Sequence, residues 1–429
     1  MSARSEETRL IQRIRSELGF IRGNFLIILT GWLLIDFARE MAFTYYPLYV
    51  QALGGTASTV GLIGSAAAIT EAFIKFPGGY IADKYGRKKI IMTMTFMAAL
   101  TYLFYALAPS WHFILIGAVL TSICWIYTPA FDSIVMESLP EEKRGTGYSL
   151  INLIKKVSTT PSPLLAGLLF TSFGLVTTSR ISFLAVALAF LIAAVLRSRL
   201  IETNEEKEQI NARELLHSFS GARSFIDGIG VWKLVPRTML ALLGVELIFI
   251  IPNIMFNTTL IFYFVNDLGI TELQLATILT VIGVSMILLT LPAGKLIDKI
   301  GRKKPLLFAF ILLALIIPIL YFATFELILI FTPLIGLTNV IFYSAIQALY
   351  ADMTPPEHRG KISGSKSFFM LIGVSMGQIS GGLIYDNVSH TLPITIFWAS
   401  TIPAFLLTLL FIKEPSSSEI NGSSRAREF

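Results

Sequence analysis

Twelve apolar runs, each about the length a helix needs to cross a hydrocarbon layer, constrain this chain more than any other feature. They cover approximately residues 24–50, 57–78, 89–108, 112–136, 146–172, 180–198, 237–265, 272–293, 304–323, 326–349, 361–385 and 391–412, numbered here as spans one to twelve. Soluble domains carry about a quarter charged residues; of these 429 residues, 14% are charged and 54% hydrophobic. The expected fold is therefore an all-α membrane protein. Barrel strands would alternate over about ten residues, and these runs are continuous and longer.

The net charge of +6 does not point to nucleic acid, because the basic residues fall in short clusters between apolar runs. One cysteine, Cys124, excludes an intramolecular disulfide framework. The histidines His112, His217, His358 and His390 have no metal-ligand spacing, and no nucleotide-binding loop or nucleophile constellation marks an enzyme or a cofactor site. Counted along the spans, 29 of the 34 Lys and Arg lie on the side of both termini. Both ends are thus expected in the cytoplasm of a multi-pass protein of the cell membrane, with no cleaved signal peptide. The expected organisation is a terminal segment 1–23, a six-helix bundle 24–198, a cytoplasmic linker 199–236, a second bundle 237–412 and a tail 413–429.

The two bundles repeat one another at an offset of 215 residues. Leu53-Gly54 falls on Leu268-Gly269, Pro77 on Pro292, Glu137 on Asp352, Pro140 on Pro355 and Arg144-Gly145 on Arg359-Gly360. Two halves in the same orientation form a parallel repeat about an axis along the membrane normal, which favours a central cavity opening to alternate sides. The run G-x-x-x-D-x-x-G-R-K occurs at Gly79 to Lys88 and again at Gly294 to Lys303. It resembles the signature loop of the major facilitator superfamily and sits where that family has it, after spans two and eight. The resemblance covers nearly the whole chain. It implies two pseudo-symmetric six-helix bundles, alternating access, a small-molecule substrate near the midplane and a monomer.

Within that loop, Gly79 and Gly294 remove side chains where helices approach, while Asp83 and Asp298 are placed to accept from a helix N-terminus or a cation. Arg87, Lys88, Arg302 and Lys303 can reach Glu137 and Asp352 at the ends of spans four and ten, and Arg144 and Arg359 follow at equivalent positions. Such bonds are expected to close the cytoplasmic side. The alternative is that the basic clusters only fix topology.

Ionisable residues inside spans are costly in lipid and mark functional positions. Span one carries Asp36, Arg39 and Glu40; span two Glu71 and Lys75; span four Asp132; span five Lys155 and Lys156. Asp36, Glu71 and a lysine are at depths that allow them to meet in one cavity. A carboxylate beside a cation in such a cavity can exchange its proton for a substrate. Asp36 is the first candidate for coupling and Glu71 the second, with Arg39, Lys155 or Lys156 tuning them or holding an anionic group. The alternative is a self-neutralised network that holds helices together. In the second half the spans are nearly free of charge: Glu246, counted with the coupling or substrate candidates, is the main exception, Lys366 sits near the start of span eleven, and Asn253, Asn257, Asn339, Tyr343, Gln347 and Gln378 are candidate substrate contacts.

The family's proton-linked drug exporters usually carry an arginine early in span four, where this chain has Phe113 to Ala118, and their span-five pattern is matched in part by Pro161-Ser162-Pro163 and Ala166-Gly167. The leading expectation is a proton-coupled antiporter exporting small organic or amphipathic compounds. A proton symporter importing an organic acid, sugar or other nutrient is the alternative. A non-transporting sensor or a lipid-moving protein is the third.

Overall fold

A computed structural model describes residues 19–140, 143–202, 230, 232, 235–354 and 359–414; the side chains of residues 76–85 and 359–360 lie outside that description. All regular elements among the described residues are helices. Span two is Ala57–Tyr85, three Arg87–Ala106, six Leu175–Arg197, eight Glu272–Ile300, ten Phe325–Met353, eleven Arg359–Asn387 and twelve Leu392–Phe411. Span seven, Arg237–Phe262, continues into a π-turn at Tyr263–Asp267, and span nine, Lys303–Ile316, into a 3₁₀ turn at Ile317–Tyr321.

Three spans are interrupted, each near a proline, which has no N–H for the helical ladder. Span one breaks between Asn24–Phe43 and Tyr46–Ala52, with Pro47 in the second piece. Span four runs as Trp111–Cys124, a 3₁₀ turn at Trp125–Tyr127 and Thr128–Glu137, which contains Pro129. Span five is Arg144–Thr159 followed by Ser162–Phe173, broken at Pro161. Ten helices among the described residues are long and apolar enough to cross a membrane alone. Spans one and five are the other two crossings. Span one has a charged trio in its longer piece, and span five has neither piece longer than 16 residues.

The repeat is written in the backbone. Gly54 and Gly269 have φ of 85° and 66°, and Gly86 and Gly301 have 87° and 92°. Both pairs are 215 apart, and both occupy the left-handed region that glycine enters without a Cβ clash. Thr56 and Thr271, also 215 apart, cap spans two and eight through their hydroxyls.

The halves meet where span two packs on span eleven and span eight on span five. Here the membrane face on which span one begins is called the basic face. Joining contacts gather toward the opposite face. The Tyr45 hydroxyl donates to the Glu272 carbonyl at 2.6 Å, the Ser58 N–H to Asp386 Oδ2 at 2.6 Å, and the Ser65 and Ser375 hydroxyls share a 2.7 Å bond. Small residues make this approach possible: a Cβ on Gly167 would stand 2.9 Å from Ala276 Cβ and from Tyr45 Oη.

Candidate functional site: a cavity between the bundles

Between the halves lies a cavity of about 420 Å³ lined by spans one to four, seven and eleven. Its first-half wall is aromatic, formed by Phe43, Tyr46, Tyr102, Tyr105 and Trp125. These rings are fixed from behind: Tyr105 stacks on Phe183 at 4.9 Å, Tyr102 lies 5.1 Å from Phe190, and the Tyr49 hydroxyl donates to the Tyr105 carbonyl at 2.9 Å. Sequence reasoning missed this wall. The density of Tyr and Phe in spans one and three was the available signal.

Of the charged candidates, Arg39 and Glu71 line the cavity. The Arg39 guanidinium lies 5.3 Å from the Trp125 ring centre and 5.8 Å from that of Phe43, and its Nε has no hydrogen-bond partner among the described residues. Glu71 pairs with Lys75 at 2.7 Å, one turn away. From the second half come Asn257, Thr258 and Gln378. Asn253 supports Asn257, whose Nδ2 donates to the Asn253 carbonyl at 2.7 Å, and the buried Oε1 of Gln378 has no partner among the described residues.

Asp36 and Lys155 do not join Glu71 in this cavity, and the expected meeting of the three is not found. Glu71 and Lys75 are, among the described residues, the single ion pair in the charged set of the first half. Arg39, Lys155 and Arg197 lie on rings. Lys155 Nζ sits 4.3 Å above Trp32, Trp32 meets Phe131 edge-on at 5.3 Å, and Phe131 carries the Arg197 guanidinium at 4.3 Å. Arg197, at the end of span six, is 2% exposed and donates to Thr95 Oγ1 at 2.5 Å and to Tyr127 Oη at 3.1 Å. Glu40 and Lys156 are exposed, and Lys156 Nζ lies 3.9 Å from Met286 Sδ of the other half. Asp132 and Lys75 line a second cavity of about 260 Å³, shared with Ser363, Ser367 and Phe368.

Asn339, Tyr343 and Gln347 are not on the cavity wall, because span ten packs on spans eight and nine. The Asn339 amide instead donates to the Ile335 carbonyl of its own helix at 2.9 Å. Glu246 and Lys366, the charges noted in the second half, are paired at 2.9 Å, with Glu246 buried.

At the basic face, Arg87 bonds Glu137 at 2.5 Å and Arg302 lies 3.3 Å from Asp352. Both contacts stay inside one half, so neither ties the halves together. The helix starts of spans three and nine are held by acids that the sequence reading missed. The Arg87 N–H donates to Glu202 and the Lys303 N–H to Glu414, each at 2.6 Å, while Lys303 Nζ donates to the Leu409 carbonyl. An acid just past the sixth span of each half was the overlooked signal. Asp298 is exposed and has no bonded partner among the described residues, so it does not cap a helix here. A Cβ on Gly294 would meet nothing within 4 Å among the described residues, so this glycine does not mark a close helix approach here. Lys88 is half-buried and Arg144 opens span five. The side chains of Asp83 and Arg359, and the surroundings of Gly79, lie outside the described residues.

A match to the Major Facilitator Superfamily spans residues 28–258 and 242–428. The chain belongs to the major facilitator superfamily. It is a multi-pass membrane transporter and not an enzyme. Among curated relatives of this superfamily chain, the multidrug resistance protein MdtG of Enterobacter lignolyticus is 24% identical over 375 residues, covering 85% of this chain and 86% of the relative. The uncharacterized transporter MJ1560 of Methanocaldococcus jannaschii is 23% identical over 350 residues, covering 79% and 85%. Among solved structures, a peptide transporter POT in complex with sulfate superposes with TM-score 0.69 at 13% identity, covering 91% of this chain and 95% of that one. The nucleoside transporter NupG gives 0.64 at 14%, covering 91% and 100%. These likenesses establish the superfamily fold.

Proposed function

We propose that this transporter is a proton-coupled antiporter of the cell membrane, exporting amphipathic organic compounds by alternating access as a monomer with its basic face in the cytoplasm. The observation that carries the reading is the cavity wall. Five aromatic rings beside one guanidinium, one carboxylate and an unpartnered amide oxygen suit a molecule with an apolar body and a few polar groups. The name of the MdtG relatives points the same way. Asp36 is assigned the coupling role because it is a half-buried acid without a bonded partner among the described residues, one turn from the Arg39 that lines the cavity. In this reading the bonds of Arg87 and Arg302 brace the loops that move when the basic face opens and closes.

Arg39 and Lys155 lie on rings rather than on acids, which favours a second reading, symport of an organic acid with a proton. One assay separates the two. Internal pH is followed in proteoliposomes while organic cations, organic acids, sugars and amino acids are added outside, with Asp36→Asn in parallel. Antiport raises internal pH as a compound enters, symport lowers it, and the variant does neither. Entry of labelled compound with no pH change overturns coupling.

A further inference from the structure

Span seven carries Asn253, Asn257 and Thr258, of which Asn257 and Thr258 line the cavity and Asn253, one turn before Asn257, does not. The Asn257 amide nitrogen has two N–H groups, and each has an acceptor on its own helix. Nδ2 lies 2.7 Å from the Asn253 carbonyl oxygen and 3.2 Å from Asn253 Oδ1. A backbone carbonyl can only accept, so chemistry fixes which end of this amide is which: the nitrogen faces Asn253, and Oδ1 is left for the cavity. The one proton of the Thr258 hydroxyl is likewise given to the Ile254 carbonyl at 2.8 Å, so its oxygen keeps only lone pairs.

Span seven therefore meets a bound molecule with acceptors alone. Groups able to donate into the cavity stand on other elements, Arg39 and the tyrosines in the first half and Gln378 on span eleven. A carboxylate turned toward span seven would lose water and gain no donor there, a loss that a polar site does not forgive. A protonated amine would give its N–H groups to Asn257 Oδ1 and Thr258 Oγ1 while its apolar body lay on the aromatic wall.

We propose that Asn253 is a specificity-determining residue that acts through Asn257: by occupying an N–H of that amide it keeps span seven an acceptor-only wall, and the transporter thereby selects compounds bearing an N–H donor, primary and secondary amines in their protonated form, over carboxylates. Asn253 is a positioning residue. Without its side chain the bond to its carbonyl persists, but the second N–H of Asn257 loses its acceptor and becomes available to the cavity. The inference rests on the cavity reading above and names its substrate class; it is independent of coupling and direction. A quaternary ammonium separates the two forces at work, since it keeps the attraction of rings for a cation and has no N–H to give.

The test measures equilibrium binding to the full chain in lipid nanodiscs by calorimetry at neutral pH. Three probes share one aromatic body: naphthylmethylamine, its trimethylammonium analogue and naphthylacetate. The wild type should bind the amine about tenfold more tightly than either of the others, the effect of one charge-assisted hydrogen bond. N253A should narrow the gap between amine and naphthylacetate several-fold by tightening the latter, and N253D, which keeps an acceptor in that place, should leave the amine first. T258V removes the other acceptor at nearly constant shape and should reduce the amine's advantage, whatever the folding of N253A. A role in packing alone would shift all three affinities together in N253A and leave their ratios in place, which overturns the inference. A wild type that binds the trimethylammonium analogue as tightly as the amine also overturns it, because rings and charge then select. If none of the three binds, the reading of the cavity as a site for amphipathic compounds falls and takes this inference with it; equal binding of all three leaves that reading standing and removes the inference alone.

Discussion

The side-chain amide of Gln378 lies directly against Gly64 of span two, where a Cβ would stand 2.6 Å from the amide carbon. One turn away on the same helix, a Cβ on Gly61 would run into the backbone carbonyl of Gln378. The two glycines therefore face different obstacles. One meets the movable end of a side chain and the other a fixed backbone.

Gly64→Ala is expected to displace the Gln378 amide from the cavity, leaving stability nearly unchanged and weakening transport several-fold. Gly61→Ala should instead cost about 1–3 kcal/mol, the usual range for overpacking, because two helices must part. Thermal unfolding in detergent alongside transport in proteoliposomes distinguishes them; equal melting losses in both variants would refute the account.

Arg39 stands beside two rings, and such a contact is worth about 0.5–2 kcal/mol depending on desolvation. Arg39→Gln should abolish transport and Arg39→Lys should retain part of it, with expression unchanged in both. Full activity of the glutamine variant would remove Arg39 from the site.

Glu202 and Glu414 each receive the first N–H of a helix at the basic face. Charge at a helix N-terminus contributes about 0.3–1 kcal/mol, and more where partly buried. Glu202→Gln and Glu414→Gln should therefore lower the apparent melting temperature by similar small amounts, and the pair together by their sum, since they lie in different halves. A loss confined to one of them would break the proposed equivalence.

Asp386 accepts from Ser58 across the halves. Asp386→Ala is expected to loosen the closed face, so that a cysteine at the buried position of Ser65, S65C in a C124A background, reacts several-fold faster with a polar thiol reagent added from that side. Unchanged labelling would show that the close packing of spans two and eleven keeps the face shut without this bond.

How much was legible follows from the range over which each interaction acts. The Glu71–Lys75 pair joins residues four apart on one helix, a spacing that puts side chains together wherever the helix packs. The repeated turns at Gly54, Gly269, Gly86 and Gly301 were equally visible, because a signature loop and its offset copy mark them. The Glu246–Lys366 pair joins residues 120 apart on different spans, and nothing local announces it. Arg197 stands at the very end of a span, where a cation usually reaches water, yet rings from span four hold it. Asp36 and Lys155 were matched to Glu71 by depth, and depth says nothing of which way a helix is turned.

By itself the sequence determined the spans, their repeat and the family, since a bilayer leaves an apolar run of about 20 residues little choice but a helix that satisfies its own backbone. Tertiary structure decided which face of each helix looks into the cavity. That rotation is set by glycines that let spans two and eleven touch and by rings that seat Arg39, Lys155 and Arg197, through contacts between residues far apart in the chain.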